Sequence, residues 1–369
     1  MQQTKPVSTI GDDVLSRPVV QLLLSLAAAV ITGLVLWQGF LFLRDSTAPK
    51  WVIAIVAIIW GVGGVAAIFF IANWLIEQLP RRVNRVVLPY LFVGPAMALL
   101  VAYLALPAVR TFWLSLLDRN SVNFVGLANY ISIFTERFMR EAFRNNLLWI
   151  VFGASLSVIL GLLIAVLADR SRFENFAKSI VFLPMAISMV GAGIIWRFIY
   201  AVRDAADPQI GLLNAIVVGL GGQPQAWTTL IQPWNNLFLI VIVVWLQTGY
   251  AMVLFSAAIK GIPAEMLEAA RVDGANEFQI FFRIMVPFIR GTIITVSTTV
   301  VIFTLKIFDV VMVMTGGQFG TEVIATQFYR QYFTNRNFGL GSAIAIVLLV
   351  AVIPVMVYNL RQFREREAF

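Results

Sequence analysis

The chain has 369 residues, of which 60% are hydrophobic and only 12% charged, and its mean hydropathy is +0.87. A soluble globular protein carries about twice that share of charge, so the composition excludes that class and points to an integral membrane protein. The net charge of +8, with no Cys and no His, fits basic residues retained on one side of a bilayer better than a nucleic-acid surface; it removes disulfides, thiolate chemistry and the commonest general base and metal ligand, and no metal site is expected.

Met1–Arg17 is polar, and the apolar run after it is too long for a signal-peptide core, so it reads as an uncleaved span. A helix needs about 20 apolar residues to cross a bilayer. Eight stretches meet that requirement: Val20–Phe42, Val52–Ile76, Val87–Val109, Leu147–Leu167, Ile180–Tyr200, Leu237–Ile259, Gly291–Val313 and Gly339–Asn359. The expectation is therefore an all-α membrane protein of about eight transmembrane helices. The first two spans are uncharged and read as a lipid-facing hairpin. Residues 1–86 then form the tail and hairpin, and residues 87–369 a six-helix core. The later spans carry more Gly, Ser, Thr, Asn and Gln, as helices packed on other helices do.

Basic residues set the orientation. Leu79–Val86 carries three arginines, and Asp169–Lys178 two arginines and a lysine. The positive-inside rule puts these short loops, and with them both termini and Lys260–Arg290, in the cytoplasm. The longer loops Arg110–Asn146 and Ala201–Asn236 then face outward; neither is long enough for an independent domain.

Glu268–Pro287 is unusually polar for this chain. Pro263 suits the first turn of a helix, and Glu265 and Glu268 complement the dipole of its early turns. Gly274 supplies a left-handed stop. Asn276 with Gln279 reads as a capping box opening a second helix, with Phe278, Ile280, Phe281, Ile284 and Met285 apolar, and Pro287 marks the next span. Two capped helices are more than a connector needs. They suit docking on a partner whose motion is passed on through the attached spans.

Two places are candidates for a transported ligand. Trp245, Gln247, Thr248 and Tyr250 combine flat aromatic faces with hydrogen-bonding groups, as a sugar requires, and Thr304 is positioned to face them from the seventh span. Lys306 and Asp309 lie three apart in that span, close enough to pair on one helix, and charges at that depth are costly without a role. No Gly-rich phosphate loop ending in Lys-Ser or Lys-Thr occurs, so any ATP belongs to another chain.

Glu268-Ala269-Ala270, Gly274, Ile284 and Pro287 resemble the EAA motif of ABC importer membrane subunits, with Val286 where Leu is usual. Gly126-Leu127-Ala128-Asn129-Tyr130, Leu183-Pro184, Gly211 with Asn214, Gly261-Ile262-Pro263, Phe308-Asp309 and Thr315-Gly316-Gly317 narrow the resemblance to the larger membrane subunit of maltose-type carbohydrate importers. Gln318 replaces that family's Pro. The resemblance covers Val87–Phe369 and implies a type I ABC importer permease fold with a cytoplasmic coupling helix, without chemistry of its own. It implies that Glu268, Ala269, Ala270, Asp273 and Gly274 engage a cytoplasmic ATPase. By the same resemblance the substrate site lies at Val243, Trp245, Leu246, Gln247, Tyr250, Val300, Thr304, Ile307 and Asp309; the binding residues expected among these are Trp245, Gln247, Tyr250, Thr304 and Asp309. Val243, Val300 and Ile307 replace polar family positions, which argues for a substrate other than maltose. The implied partners are a second membrane subunit, two ATPase subunits that bind ATP and Mg, and an external solute-binding protein, in a bacterial inner membrane. The competing class is an ion-driven secondary transporter, which uses intramembrane carboxylates; Asp309 is the one clear case.

Overall fold

The computed structural model describes residues 18–78 and 80–367; the polar Met1–Arg17 lies outside them. Among the described residues there is no β-strand, only the isolated bridge Leu117–Phe124. Six helices are continuous and long enough to span a bilayer, and two further helix pairs, each sharply bent, raise the candidates to the expected eight if each pair counts as one span. This is the economical solution in lipid, where a helix satisfies its own backbone polar groups.

Packing divides the chain into two compact units after Ala108, whereas the sequence suggested a division after residue 86. In the first unit, α1 (Pro18–Asp45) and α2 (Lys50–Glu77) form a hairpin. Gly39 lies against the Trp60 ring and Gly64 against Leu36, where an added Cβ would collide with either side chain. Trp60 Nε1 donates to the Leu36 carbonyl at 2.9 Å. Only 6% of the most apolar window of each helix is buried, which fits a lipid-facing hairpin. α3 (Arg81–Leu100) continues through a π-helical turn into α4 (Leu106–Ser115).

In the second unit, α5 (Ala128–Thr135) precedes α6 (Arg137–Leu148), which runs through the π-turn Trp149–Ala154 into α7 (Ser155–Asp169). α8 (Glu174–Phe182), α9 (Met189–Ile199) and α10 (Leu212–Gly219) follow, then the central α11 (Trp234–Lys260). α11 is 56% buried in its most apolar window, with Ile242, Val243, Met252 and Phe255 fully enclosed. It is approached so closely that side chains are excluded. A Cβ on Gly161 of α7 would stand 2.5 Å from that of Ala251, and one on Gly249 would stand 2.5 Å from the Val181 carbonyl oxygen of α8. Small residues at helix crossings in lipid gain dispersion contact in this way.

Two expected spans are not continuous. Ile180–Tyr200 is broken between Ala186 and Met189 by a 104° bend. Pro184 lies in the 3-10 turn Leu183–Ala186, Ile187 is extended, and Ser188 starts α9 with its hydroxyl accepting from the Gly191 N–H at 3.1 Å. Gly291–Val313 is also interrupted. α12 (Ala264–Val272) and α13 (Glu277–Ile280) lead through a π-turn and α14 (Val286–Phe288) to a 72° bend before α15 (Arg290–Leu305). The chain then leaves the helix at Lys306–Phe308 and restarts as α16 (Asp309–Met314). Lys306 and Asp309 therefore do not share a helix, and no ion pair joins them among the described residues. Asn146 meets the freed groups: its amide donates to the Leu305 carbonyl at 3.1 Å, and its oxygen accepts from Ile324 N–H at 2.8 Å. α17 (Ile324–Tyr329) and α18 (Phe338–Glu367) complete the unit.

Candidate functional site

Both ends of α11 carry polar structure, and its middle borders a cleft. At the Lys260 end lies the polar helix pair. α12 buries no residue, and Glu268, Ala269, Asp273 and Gly274 are exposed, with Ala270 half-buried. Its end is a Schellman motif: Gly274 N–H donates to the Arg271 carbonyl (3.1 Å) and Ala275 N–H to that of Ala270 (2.9 Å), closing orphan carbonyls around a left-handed residue. Gly274 has φ +80°. The capping box also forms: Asn276 Oδ1 accepts from Gln279 N–H at 2.8 Å, and Gln279 Oε1 from Asn276 N–H at 2.9 Å. Around this element Val272 and Phe278 are 88% and 72% exposed, an apolar display that suits contact with another chain.

Ion pairs fasten the pair to the bundle. Glu277 at the start of α13 receives Arg170 (2.5 Å) from beyond α7 and Arg271 (3.1 Å) from α12. Above them, Lys178 on α8 pairs with Asp169 of α7 and with Glu174, which also takes Lys260 at the end of α11. Ser256 Oγ donates to Asp169 Oδ1 at 2.8 Å. These contacts join the ends of α7, α8 and α11 into one block next to α12.

Midway along α11 lies a cleft of about 310 Å³, lined by Gln247, Tyr250, Leu246, Thr299, Phe303 and the bend residues Met185, Ile187 and Met189. It offers an amide, a phenol and a hydroxyl among apolar and aromatic walls, and no carboxylate, ammonium or guanidinium. Such a lining suits an uncharged ligand with both hydroxyl and C–H faces.

Of the residues read from the sequence, Gln247 and Tyr250 line this cleft. Trp245 is half-buried and is not among the lining residues, its ring edge-on to Trp196 with centroids 5.8 Å apart. Thr304 does not face it: the residue is fully buried, its hydroxyl donates to the Val300 carbonyl at 2.7 Å, and its methyl would touch a Cβ on Gly153. Asp309 is half-buried at the start of α16, outside the cleft lining. Val243, Val300 and Ile307 are core residues. Sequence reasoning missed Thr299, Phe303, Met185 and Met189. The signal was available in Pro184 and Ser188, which bracket the break, and in the four-residue spacing that puts Thr299 and Phe303 on one face of α15.

The opposite end of α11 is held by buried amides. Asn145 Nδ2 donates to the Gly320 and Glu322 carbonyls (2.7 and 2.8 Å), and Asn235 Nδ2 to that of Phe319 (2.5 Å). Gln232 Nε2 donates to the Gly320 carbonyl as well. Glu322, enclosed in this loop, pairs with Arg330; burial pushes its carboxyl above the ordinary range, against the pull of Thr326 and Arg330. The smaller motifs near this end are structural too. Asn129 Nδ2 donates to the Ser115 and Leu117 carbonyls (2.8 and 2.7 Å), and Asn214 to those of Ala201 and Gln225 (both 3.0 Å).

Residues 157–366 match the family described as binding-protein-dependent transport system inner membrane component. The chain is 56% identical over 277 residues to the osmoprotective compounds uptake permease protein GgtC of Synechocystis sp., covering 75% of this chain and 99% of that protein. It is 47% identical over 322 residues to the alpha-glucoside transport system permease protein AglF of Rhizobium meliloti, covering 84% and 96%. Among solved structures, a chain of a bacterial ABC transporter involved in import of the acidic polysaccharide alginate superposes with a TM-score of 0.66 at 21% identity, over 77% of this chain and 98% of that one; at that identity the likeness concerns the fold.

Proposed function

Because the chain belongs to the family of binding-protein-dependent transport system inner membrane components, we propose that it is one half of the membrane pathway of an ATP-driven importer that passes a neutral glycoside: an oligosaccharide, an α-glucoside or a glycosylated compatible solute. The observation that carries the reading is the exposed, doubly capped pair α12–α13, tied by the Arg170–Glu277 ion pair to the end of α7, which further ion pairs join to the ends of α8 and α11. An element so displayed is a lever for a partner, and the partner is a pair of cytoplasmic ATPase subunits that hold ATP and Mg. Glu268, Ala269, Ala270, Asp273 and Gly274 form its contact. A second, similar membrane subunit completes the pathway, an external binding protein delivers solute, and both termini face the cytoplasm of a bacterial inner membrane.

The substrate class is supported by the uncharged cleft at Gln247, Tyr250 and Thr299 and by the two relatives named for osmoprotective compounds and alpha-glucosides. Trp245 and Asp309, outside that lining, are the remaining candidate contacts. ATP closure of the two ATPases switches the cleft between faces. The test is purification of the tagged chain from its native membrane, followed by uptake of radiolabelled maltose and trehalose into vesicles. An ATPase chain should co-purify, and uptake should stop when ATP is withheld. Uptake that persists without ATP, with no ATPase bound, would support an ion-driven transporter instead. A ligand screen on the partner binding protein then names the solute.

A further inference from the structure

The α6 end of the bundle, opposite α12, carries a charge pattern that neither the helix pair nor the cleft uses. Arg137, Arg140 and Arg144 fall at i, i+3 and i+7 and so follow one face of α6. All three are exposed, while Met139, Ala142, Asn145 and Asn146 on the other side are buried. With Glu141 and Gln232 they border an open depression of about 320 Å³. None of the three arginines is in an ion pair among the described residues. Glu141, the acid of the same turn, has its Oε1 taken by Gln232 Nε2 at 2.8 Å. Three arginines against the two glutamates of this helix start, Glu136 and Glu141, next to a span end on the outward side, run against the bias that keeps such charge in the cytoplasm.

We propose that this arginine row is the surface on which an acidic face of the external solute-binding protein docks. The proposal rests on the importer reading and names where that partner sits. Seven residues of helix make a row of about 10 Å, open along its length, which is the shape for a protein surface rather than a single anion. Guanidinium forks pair bidentately with carboxylates. A protein can also meet Glu141 with a donor of its own, which a layer of lipid phosphates cannot.

The row is also connected inward. Asn145 and Asn146, on the buried side of the same helix, hold the Gly320 and Glu322 carbonyls and the last carbonyl of α15. Gln232, at the rim of the depression, holds Gly320 as well. α15 carries Thr299 and Phe303 of the cleft. Docking on the row thus bears on the cleft through one layer of buried amides.

The experiment uses the assembled transporter in phosphatidylcholine nanodiscs, titrated with its solute-binding protein at about 0.05 and 0.3 M salt, reading ATPase stimulation. The variants are Arg137→Gln/Arg140→Gln/Arg144→Gln together and Arg140→Glu alone, the latter serving if the triple variant fails to assemble. The half-saturating binding-protein concentration should rise about tenfold or more, as expected for loss of interfacial charge complementarity, and its salt dependence should flatten. ATPase activity without binding protein should stay at the parental level. An unchanged half-saturation and salt slope would overturn the proposal. So would an effect that appears only when phosphatidylglycerol is present, which assigns the row to lipid. Failure of the parental complex to respond to binding protein at all would instead count against the importer reading itself.

Discussion

Gly274 gives a test of the coupling role proposed for α12–α13, because its surroundings separate backbone strain from crowding. Its φ is +80°, and a Cβ there would meet no heavy atom of this chain within 4 Å. Within the chain a substitution therefore costs only the left-handed conformation, about 1–2 kcal/mol for an ordinary residue and less for Asn, which tolerates that region. With about 1.4 kcal/mol per factor of ten, Gly274→Ala should deplete the closed Schellman turn roughly tenfold, Gly274→Val more, and Gly274→Asn little. The bundle is untouched, so membrane insertion and yield should match the parent. ATPase co-purification and ATP-dependent uptake should fall in the order Gly, Asn, Ala, Val. Equal activity across the series would refute a role for the turn. If Asn fails as completely as Val, the position is filled by the partner and the backbone argument is wrong.

Gly161→Val places a branched side chain where even a Cβ would stand 2.5 Å from that of Ala251; overpacking of this kind costs about 1–3 kcal/mol, and the thermal midpoint in detergent should drop, whereas an unchanged midpoint means that α7 and α11 do not pack as described. Asn145→Leu strands the Glu322 carbonyl, at about 1–3 kcal/mol, and leaves that of Gly320 to Gln232, so amide exchange across 315–324 should accelerate while exchange in α12 stays constant. Gln247→Leu removes the cleft's amide and should lower solute uptake several-fold with ATPase association intact; loss of both together would make Gln247 structural. Burial raises the Glu322 carboxyl, so the folded loop keeps a proton that the unfolded chain has released. Stability should fall as pH climbs from the ordinary glutamate range through the raised value, and Glu322→Gln should flatten that slope in thermal melts.

The helix pair was legible in the sequence because its determinants are local: a left-handed Gly, a capping box and dipole-matched carboxylates act within a few residues and owe little to packing. Span number was legible for a similar reason, since lipid imposes length and apolarity directly. Continuity was not. At 180–200 and 291–313 each stretch is apolar enough to read as one span, and the break is fixed by single residues: Ser188 as a helix start, and Asn146 reaching from another span to the Leu305 carbonyl. That second contact depends on partners 159 residues apart, which no window along the chain reveals. The same blindness misplaced Thr304. Its polarity suggested a ligand contact, but it is satisfied by its own helix, while the cleft face falls on Thr299 and Phe303. Gln247 and Tyr250, which line the cleft, stood out in the sequence because an apolar span has few reasons to carry them.

The cleft's lack of ionised side chains has an electrical meaning. A unit charge moved through the membrane field gains or loses about 2.3 kcal/mol per 100 mV. A neutral solute held among Gln247, Tyr250, Thr299, Phe303 and the two methionines brings no such term to its crossing, so the cell's voltage neither pulls it inward nor holds it back. On the proposed importer reading, the work of accumulation falls on the force delivered at α12, and a cell whose potential has collapsed retains this route for as long as it retains ATP.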